Sequence, residues 1–197
     1  MTSPKRLVAG LLSLLGLALP VKASAMTLEE AQASEFFRWF HLEQVETHRN
    51  AQGADVRLFR PQGAKFRPLA AVELTLDARN RISGMWLLLA RSFIADPQDS
   101  SFARDIAKSF ILFAVPRADA PALKDLVDEI RFRDLKGTVL MRGEPPKLPS
   151  EPSPAYRAFA GEQPEARLAL PGAEITFRNG GNGRDGELAI AVAPRGS

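Results

Sequence analysis

Apolar and polar residues alternate along the middle of the chain in a pattern that predicts β-strands. The segment 72–76 has an apolar side chain at every second position, and 56–58 shows a shorter version of the same pattern. Such alternation is typical of strands with one buried face and one solvated face. The largely apolar run 82–90 indicates a more fully buried strand, and turn-forming residues occupy 77–81. Together these segments predict a three-stranded antiparallel meander over 54–91.

A helix is predicted before the meander. Thr27 and Glu30 have the spacing of a capping box, in which each side chain accepts a hydrogen bond from a backbone N–H of the other residue. The apolar stripe that follows predicts a helix that ends before Gly53, with an acidic polar face. The run Phe36–Phe40 contains four aromatic residues, and these cover more than one face of a helix. We therefore expect one aromatic ring to emerge at the surface, and Trp39 is a candidate for partner binding.

Two amphipathic helices are predicted after the meander. The first is expected to be capped by Ser100 or Ser101 and stopped by Pro116, and the second to be capped by Asp119 with Pro121 in its first turn. These helices need an apolar face to cover, so we expect them to pack on the meander. The core predicted from this arrangement contains Val72, Leu74, Leu76, Trp86, Leu88, Phe110, Phe113, Leu126 and Ile130.

The C-terminal third begins with another short predicted strand at 137–141. Five prolines in 144–154 then predict an extended strap that cannot enter a sheet interior. Ser153 and Pro154 predict a short helix that is ended by Gly161. The rest of the chain reads as strands at 166–170, around 175–177 and at 188–192. We therefore predict one α+β domain over 26–197: an N-terminal helix, an antiparallel meander, two helices packed on the sheet, and C-terminal strands that join it.

The first 25 residues have the pattern of an export signal. Lys5 and Arg6 precede an uncharged apolar run over 7–19, and 23–25 supply the small residues that signal peptidase recognises. We expect cleavage after Ala25 and a periplasmic or secreted protein. Retention of this segment as an uncleaved anchor is the alternative. The run is shorter than the roughly 20 residues that span a bilayer, and no longer apolar run follows it.

Charge argues against nucleic acid as a partner. The chain has 26 basic and 23 acidic residues, and the three bases of 1–25 would be lost with the signal segment. The mature chain is then formally neutral. Binding to a phosphate backbone needs clustered excess cations, so nucleic acid is not expected.

Few residues favour a metal centre or a cofactor site. The chain has no cysteine, which excludes disulfides and thiolate ligands. His41 and His48 are seven positions apart, so in the predicted helix they would lie about 10 Å from each other, too far to share one ion. The sequence 180–185 matches the first six positions of a calcium-binding nonapeptide, but it occurs once, whereas such sites form between stacked repeats. A hairpin loop is the simpler interpretation. No metal and no cofactor are predicted.

No motif identifies a catalytic residue. The chain lacks a Gly-x-Ser-x-Gly elbow, and no serine is followed three residues later by lysine. The acid pairs at 29–30 and 128–129 are interpreted as solvated charge on helix faces. A hydrolase with two carboxylates stays an alternative, because its two acids need only converge in space.

Charge is distributed unevenly within the mature chain. Residues 26–48 hold five acids and one base, whereas 49–91 hold eight bases and three acids. One interpretation is internal pairing between the acidic helix and the basic strands. The other is an exposed arginine patch for an anionic ligand, since the planar guanidinium binds carboxylate or phosphate through two hydrogen bonds. The candidate binding residues are Arg57, Arg67, Arg79, Arg81 and Trp39.

These observations favour a non-enzymatic binding protein of the cell envelope. Its partner would be an envelope protein or an anionic glycan or lipid surface. The alternative is a small envelope hydrolase that uses paired carboxylates.

Overall fold

The fold is built on one antiparallel sheet of seven strands with helices on one side. The computed structural model describes residues 26–115, 121–133, 146–180 and 186–194. The strand order is β1-β2-β3-β4-β7-β6-β5. The strands are β1 Leu42–Arg49, β2 Asp55–Pro61, β3 Ala70–Leu76, β4 Ile82–Ala90, β5 Glu165–Leu170, β6 Ala173–Gly180 and β7 Glu187–Pro194. The helices are α1 Leu28–Ala33, α2 Glu35–Trp39, α3 Arg91–Ala95, α4 Ser100–Ala114, α5 Pro121–Phe132 and α6 Pro154–Ala160.

The predicted α+β class and the meander are confirmed. Strands β2, β3 and β4 pair in sequence order, and the three C-terminal strands join the same sheet through β7, which pairs with β4. The turn between β3 and β4 is held by Asp77, whose Oδ1 accepts from the backbone N–H groups of Arg79 and Arg81 at 2.8 and 2.9 Å. Asn80 has a φ of 59° in this turn, a conformation that asparagine tolerates.

The predicted N-terminal helix is much shorter than expected. Its capping box is confirmed, since Glu30 N donates to Thr27 Oγ1 at 3.2 Å and Thr27 N donates to Glu30 Oε2 at 2.7 Å. The helix ends at Ala33, and Ser34 caps the separate helix α2. Residues 42–49, predicted to be helical, form the edge strand β1 and pair with β2. The long-range pairing with β2 outweighs a local pattern that resembles a helix.

The helices after the meander differ from the prediction at their starts. Helix α4 is preceded by Asp99, so the caps predicted at Ser100 and Ser101 are wrong, and both serines lie inside the first helical turn. The short helix α3 was not predicted. Helix α4 ends at Ala114, shortly before Pro116, and α5 begins at Pro121 as expected. The predicted cap Asp119 and the predicted strand 137–141 lie outside the described residues.

Helix α6 confirms the prediction for the segment after the prolines. Ser153 caps the helix by accepting from Tyr156 N, Pro154 is its first residue, and Gly161 ends it with a φ of 88°. Residues 146–153, the described part of the predicted strap, contain neither helix nor strand.

The core lies between the helices and one face of the sheet. Six of the nine predicted core residues belong to it: Val72, Leu74, Leu76, Phe110, Leu126 and Ile130; Phe113 packs against it. Trp86 and Leu88 were assigned to the wrong face, because in β4 the buried positions are Leu87 and Leu89. An unbroken apolar run does not reveal which alternate residues face the helices. Among the described residues, no helix has the length and apolar character of a membrane span.

Candidate functional site

The second face of the sheet, which we call the open face, is the candidate interaction surface. Trp86 pairs with Glu73 on β3 and with Ala191 on β7, and paired residues of an antiparallel sheet project to the same side. All described helices contribute buried residues to the core on the opposite face. The apolar residues at the centre of the open face are Val56, Leu58 and Ala71, which are buried, and Trp86, Leu88, Ala189 and Ala191, which are half-buried and accessible.

On the open face, the side chains of β4 are large and those of β7 are small. Trp86 and Leu88 on β4 are large and half-buried, whereas the residues opposite them on β7 are alanines. On the far side of β7, Ala191 pairs with Thr176, another short side chain, and Ala189 pairs with Arg178, whose guanidinium is held by Glu165. Large side chains on one strand and small ones on the next form a shallow trough along β7.

The charged residues of the open face are predominantly acidic. Register places six carboxylates and three guanidinium groups on it: Glu43, Glu46, Glu73, Glu165, Glu174, Glu187, Arg60, Arg167 and Arg178.

Ion pairs hold one carboxylate near each of the two edges of this face. Glu165 accepts from Arg167 Nε at 2.9 Å and from Arg178 Nε at 3.2 Å. The hydrogen bond from Arg167, followed by the one from Arg178, lowers the pKa of Glu165. At the opposite edge Glu43 forms an ion pair with Arg67. The edge charges are therefore largely satisfied within the protein.

Three other carboxylates of this face, Glu73, Glu174 and Glu187, lack such partners among the described residues. Neither Glu73 nor Glu187 forms an ion pair with any residue that the structure describes. Partial burial raises the pKa of Glu187, the negative charge of Glu73 raises it further, and Arg60 opposes this effect. Arg60 itself donates to the carbonyl oxygen of Arg67 at 2.9 Å. The open face therefore combines apolar surface at its centre with carboxylates that have no ion-pair partner among the described residues, of which Glu187 lies at the start of β7.

The arginines predicted to bind a ligand are placed apart. Arg67 lies before β3, whereas Arg79 and Arg81 follow it, and a seven-residue strand spans roughly 20 Å. Arg57 pairs with Leu74, so it projects toward the helix-covered side, where its Nη1 donates to Thr47 Oγ1 at 2.6 Å. One small ligand does not reach all four guanidinium groups.

Two of these arginines are already engaged in ion pairs. Arg67 pairs with Glu43, and Arg81 donates to Asp77 Oδ2 from Nε and Nη2 at 3.1 and 3.0 Å. The Arg79 side chain is exposed, and Trp39 has 69% of its surface exposed on α2. Internal pairing therefore accounts for part of the charge asymmetry, and Arg79 and Trp39 stay available at the surface.

The predicted spacing of the histidines was wrong because residues 42–49 are extended. His41 precedes β1 with a φ of 45°, and His48 lies within the strand. Nδ1 of His48 is 3.3 Å from Glu46 Oε1. Within the described ranges, no cluster of three or more His, Asp or Glu side chains is placed to hold a metal ion. The predicted hairpin is confirmed, since Gly180 pairs with Glu187, but the loop residues 181–185 lie outside the described part.

Glu129 was wrongly interpreted as solvated charge. Only 2% of its surface is exposed. Its carboxylate accepts from the Ser153 backbone N–H at 3.1 Å, from the Ser153 hydroxyl, and from Arg133 Nη2 at 2.8 Å. The sequence signal was its position, three residues after Leu126 and one before Ile130, on the buried side of α5. Glu129 joins α5 to the start of α6.

Arg91 joins β4 to the end of α6. Its guanidinium donates to the carbonyl oxygens of Phe159 at 2.6 Å and Ala158 at 2.9 Å, and also to Asn179 Oδ1. These carbonyls belong to the last turn of the helix, which carries partial negative charge. Burial lowers the pKa of Arg91. Its bonding partners identify Arg91 as a structural residue.

Comparison with known proteins adds no assignment to this geometry. No family model, no curated protein and no solved structure matches the chain. The fold and the arrangement of charges on the open face are therefore the basis for a functional proposal.

Proposed function

We propose that this protein is an exported, non-enzymatic binding protein of the cell envelope, and that it binds its partner on the open face. The observation that supports this most is the half-buried Trp86 and Leu88 at the centre of a sheet face opposite the described helices. Contiguous apolar surface outside a core is typical of interaction sites. Tryptophan is also one of the residues that contribute most to binding energy at interfaces.

The proposal of export rests on the first 25 residues and is tested separately. Cleavage after Ala25 would leave Met26 first, and its carbonyl oxygen accepts from Ile82 N at 2.8 Å. We expect intact-mass analysis of a periplasmic fraction to give a chain that begins at Met26. A full-length species that stays in the membrane fraction would contradict the proposal of cleavage.

Binding is tested with the mature chain as bait in an envelope extract. We expect Trp86→Ala to lose the captured partner, because it removes the largest apolar group of the open face. Trp39→Ala is the matched control, since it removes the other tryptophan from the helix layer. If only Trp39→Ala abolishes capture, the partner binds on the helix side, and the proposed use of the open face is wrong.

Hydrolysis by paired carboxylates is the second candidate, and one observation favours it. Burial raises the pKa of Glu187 and the charge of Glu73 raises it further, and a raised pKa is expected of a general acid that works with a second carboxylate. We expect an enzyme of this kind to release reducing ends from isolated cell-wall glycan, and both Glu73→Gln and Glu187→Gln to stop that release. A wild-type protein that releases none would remove this candidate for glycan substrates.

A further inference from the structure

We propose that the partner of the open face is a protein segment that presents Lys or Arg beside apolar side chains. This deepens the proposed function and rests on it. The segment lies along β7, in the trough between Trp86 and Leu88 on one side and Thr176 and Arg178 on the other, the guanidinium of Arg178 being bound by Glu165.

The charge of the open face determines the sign of the charge that its partner must carry. Glu43 and Glu165 are held by arginines and Glu46 lies beside His48, whereas Glu73, Glu174 and Glu187 form no ion pair with any described side chain. A partner that covers Glu73 and Glu187 removes water from two carboxylates that lack an ion-pair partner among the described residues, which is unfavourable unless it brings positive charge. Basic groups placed beside Glu73 and beside Glu187 satisfy these carboxylates as the apolar surface is buried.

The same charges disfavour an anionic glycan or lipid on this face. The open face carries six carboxylates against three guanidinium groups, and two of those three, Arg167 and Arg178, are already bound by Glu165. Like-charge contact at an interface suppresses binding. An anionic partner would have to use another surface, such as the turn that carries Arg79.

The shape of the trough favours an extended peptide with alternating side chains. Alternate residues of β7 on this face are Ala189 and Ala191, so a peptide backbone can approach the sheet closely. Its apolar side chains would contact Trp86 and Leu88, and a basic residue near the start of β7 would reach Glu187.

The probe is a synthetic peptide of about twelve residues that alternates Lys and Val, long enough to cover a strand of this length. The chain has 2 tryptophans, so Trp39→Phe leaves Trp86 as the single reporter. We expect the Lys–Val peptide to change Trp86 fluorescence saturably, and a peptide that alternates Glu and Val to leave it unchanged.

Charge variants test the role of the two carboxylates. In the same background, Glu73→Gln with Glu187→Gln is expected to weaken binding of the Lys–Val peptide about tenfold. Glu29→Gln with Glu35→Gln is the matched control, because it makes the same change in net charge at exposed positions of α1 and α2. We expect the control to bind like the parent. Equal weakening by both double variants would mean non-specific attraction and would overturn the proposal.

Two further outcomes separate this inference from the proposed function. If vesicles of anionic phospholipid, but not the Lys–Val peptide, change Trp86 fluorescence, the open face binds but the partner class is wrong. If neither probe does so and Trp86→Ala captures the same envelope proteins as wild type, the proposed use of the open face fails as well.

Discussion

The Ser153 hydroxyl donates to the buried carboxylate of Glu129 and accepts from the backbone N–H of Tyr156 at 3.1 Å. One side chain thus caps α6 and ties that helix to α5. Arg133 extends the connection by donating both to Glu129 at 2.8 Å and to the carbonyl oxygen of Pro149 at 2.7 Å. The described part of the proline-rich segment is therefore held against α5 by one carboxylate and one guanidinium group.

Removing this carboxylate is expected to destabilise the protein strongly. Glu129→Ala leaves Arg133 without its ion-pair partner in a site with little solvent, which costs about 3 kcal/mol. Asp128→Ala is the control, because Asp128 pairs with the exposed Lys124 at 2.7 Å and such pairs contribute less than about 1 kcal/mol. Denaturant unfolding measures both. Similar midpoints for the two variants would contradict the structural role of Glu129.

Neighbouring leucines of β4 provide a test of which face is the core. Leu87→Ala opens a cavity in the core and is expected to cost about 2–5 kcal/mol, as are Leu74→Ala and Phe110→Ala. Leu88→Ala removes the same atoms from the open face and is expected to cost about 1 kcal/mol. The comparison uses the free energy of unfolding from denaturant titration. If Leu88→Ala is as costly as Leu87→Ala, the assignment of the open face is wrong.

The raised pKa of Glu187 predicts a pH dependence of stability. The carboxyl group of Glu187 keeps its proton to a higher pH in the folded protein than in the unfolded chain. The contribution of this group to stability is therefore fully present below its pKa in the unfolded chain. That contribution is lost as pH rises through the folded pKa. Glu187→Gln should flatten this part of the profile. The measurement is the melting temperature from pH 4 to pH 7 for both proteins, and identical profiles would refute the prediction.

The lowered pKa of Asp77 predicts the opposite slope. The largest cause is the hydrogen bond from the Arg81 backbone N–H, so the ionised carboxylate stabilises the turn. This stability is present above the unfolded pKa and is lost as pH falls through the folded pKa. Asp77→Asn keeps a side-chain oxygen that accepts hydrogen bonds in the turn but removes the negative charge. Asp77→Ala removes both the oxygen and the charge. We expect the melting temperature to fall more for Ala than for Asn, and the Asn variant to lose the acid-dependent decline.

The predicted role of the turn arginines is tested with anionic phospholipid vesicles. Arg79→Ala is the cleaner variant, because Arg81 is bound to Asp77 and its loss would also disturb the turn. If Arg79 contacts anionic headgroups, Arg79→Ala alone should weaken vesicle binding, and wild-type binding should fall as salt is raised above physiological strength. Unchanged binding for Arg79→Ala and for the double variant Arg79→Ala with Arg81→Ala would remove both residues from consideration.

Local chemistry predicted much of the fold. The alternating pattern at 72–76, the capping box at Thr27 and the Ser153–Gly161 helix depend on neighbouring residues, and each is found in the structure. The segment 42–49 was mistaken for helix because its strand character comes from pairing with β2, and register with a distant partner is not encoded by spacing alone.

The candidate site was harder to predict for the same reason. Glu73 and Glu187 lie on the same face of one sheet only because β7 enters the sheet beside β4. The assignment of Trp86 and Leu88 to the open face also depends on register. The residues before and after each of them in the chain are apolar as well, so the sequence pattern does not show which ones face the helices. The arginines were identifiable by composition, but their ion pairs with Glu43 and Asp77 depend on the turn and edge geometry.

The position of β7 has a consequence for the order of folding. It is the last described strand along the chain, yet it lies between β4 and β6. Its partner in β4 is about one hundred residues earlier, as with Leu89 and Leu188, and contacts this distant in sequence form slowly. Strands β1–β4 therefore keep an unpaired edge during synthesis until the final strand emerges. The sheet is therefore complete only when the last described strand of the chain is available to pair with β4.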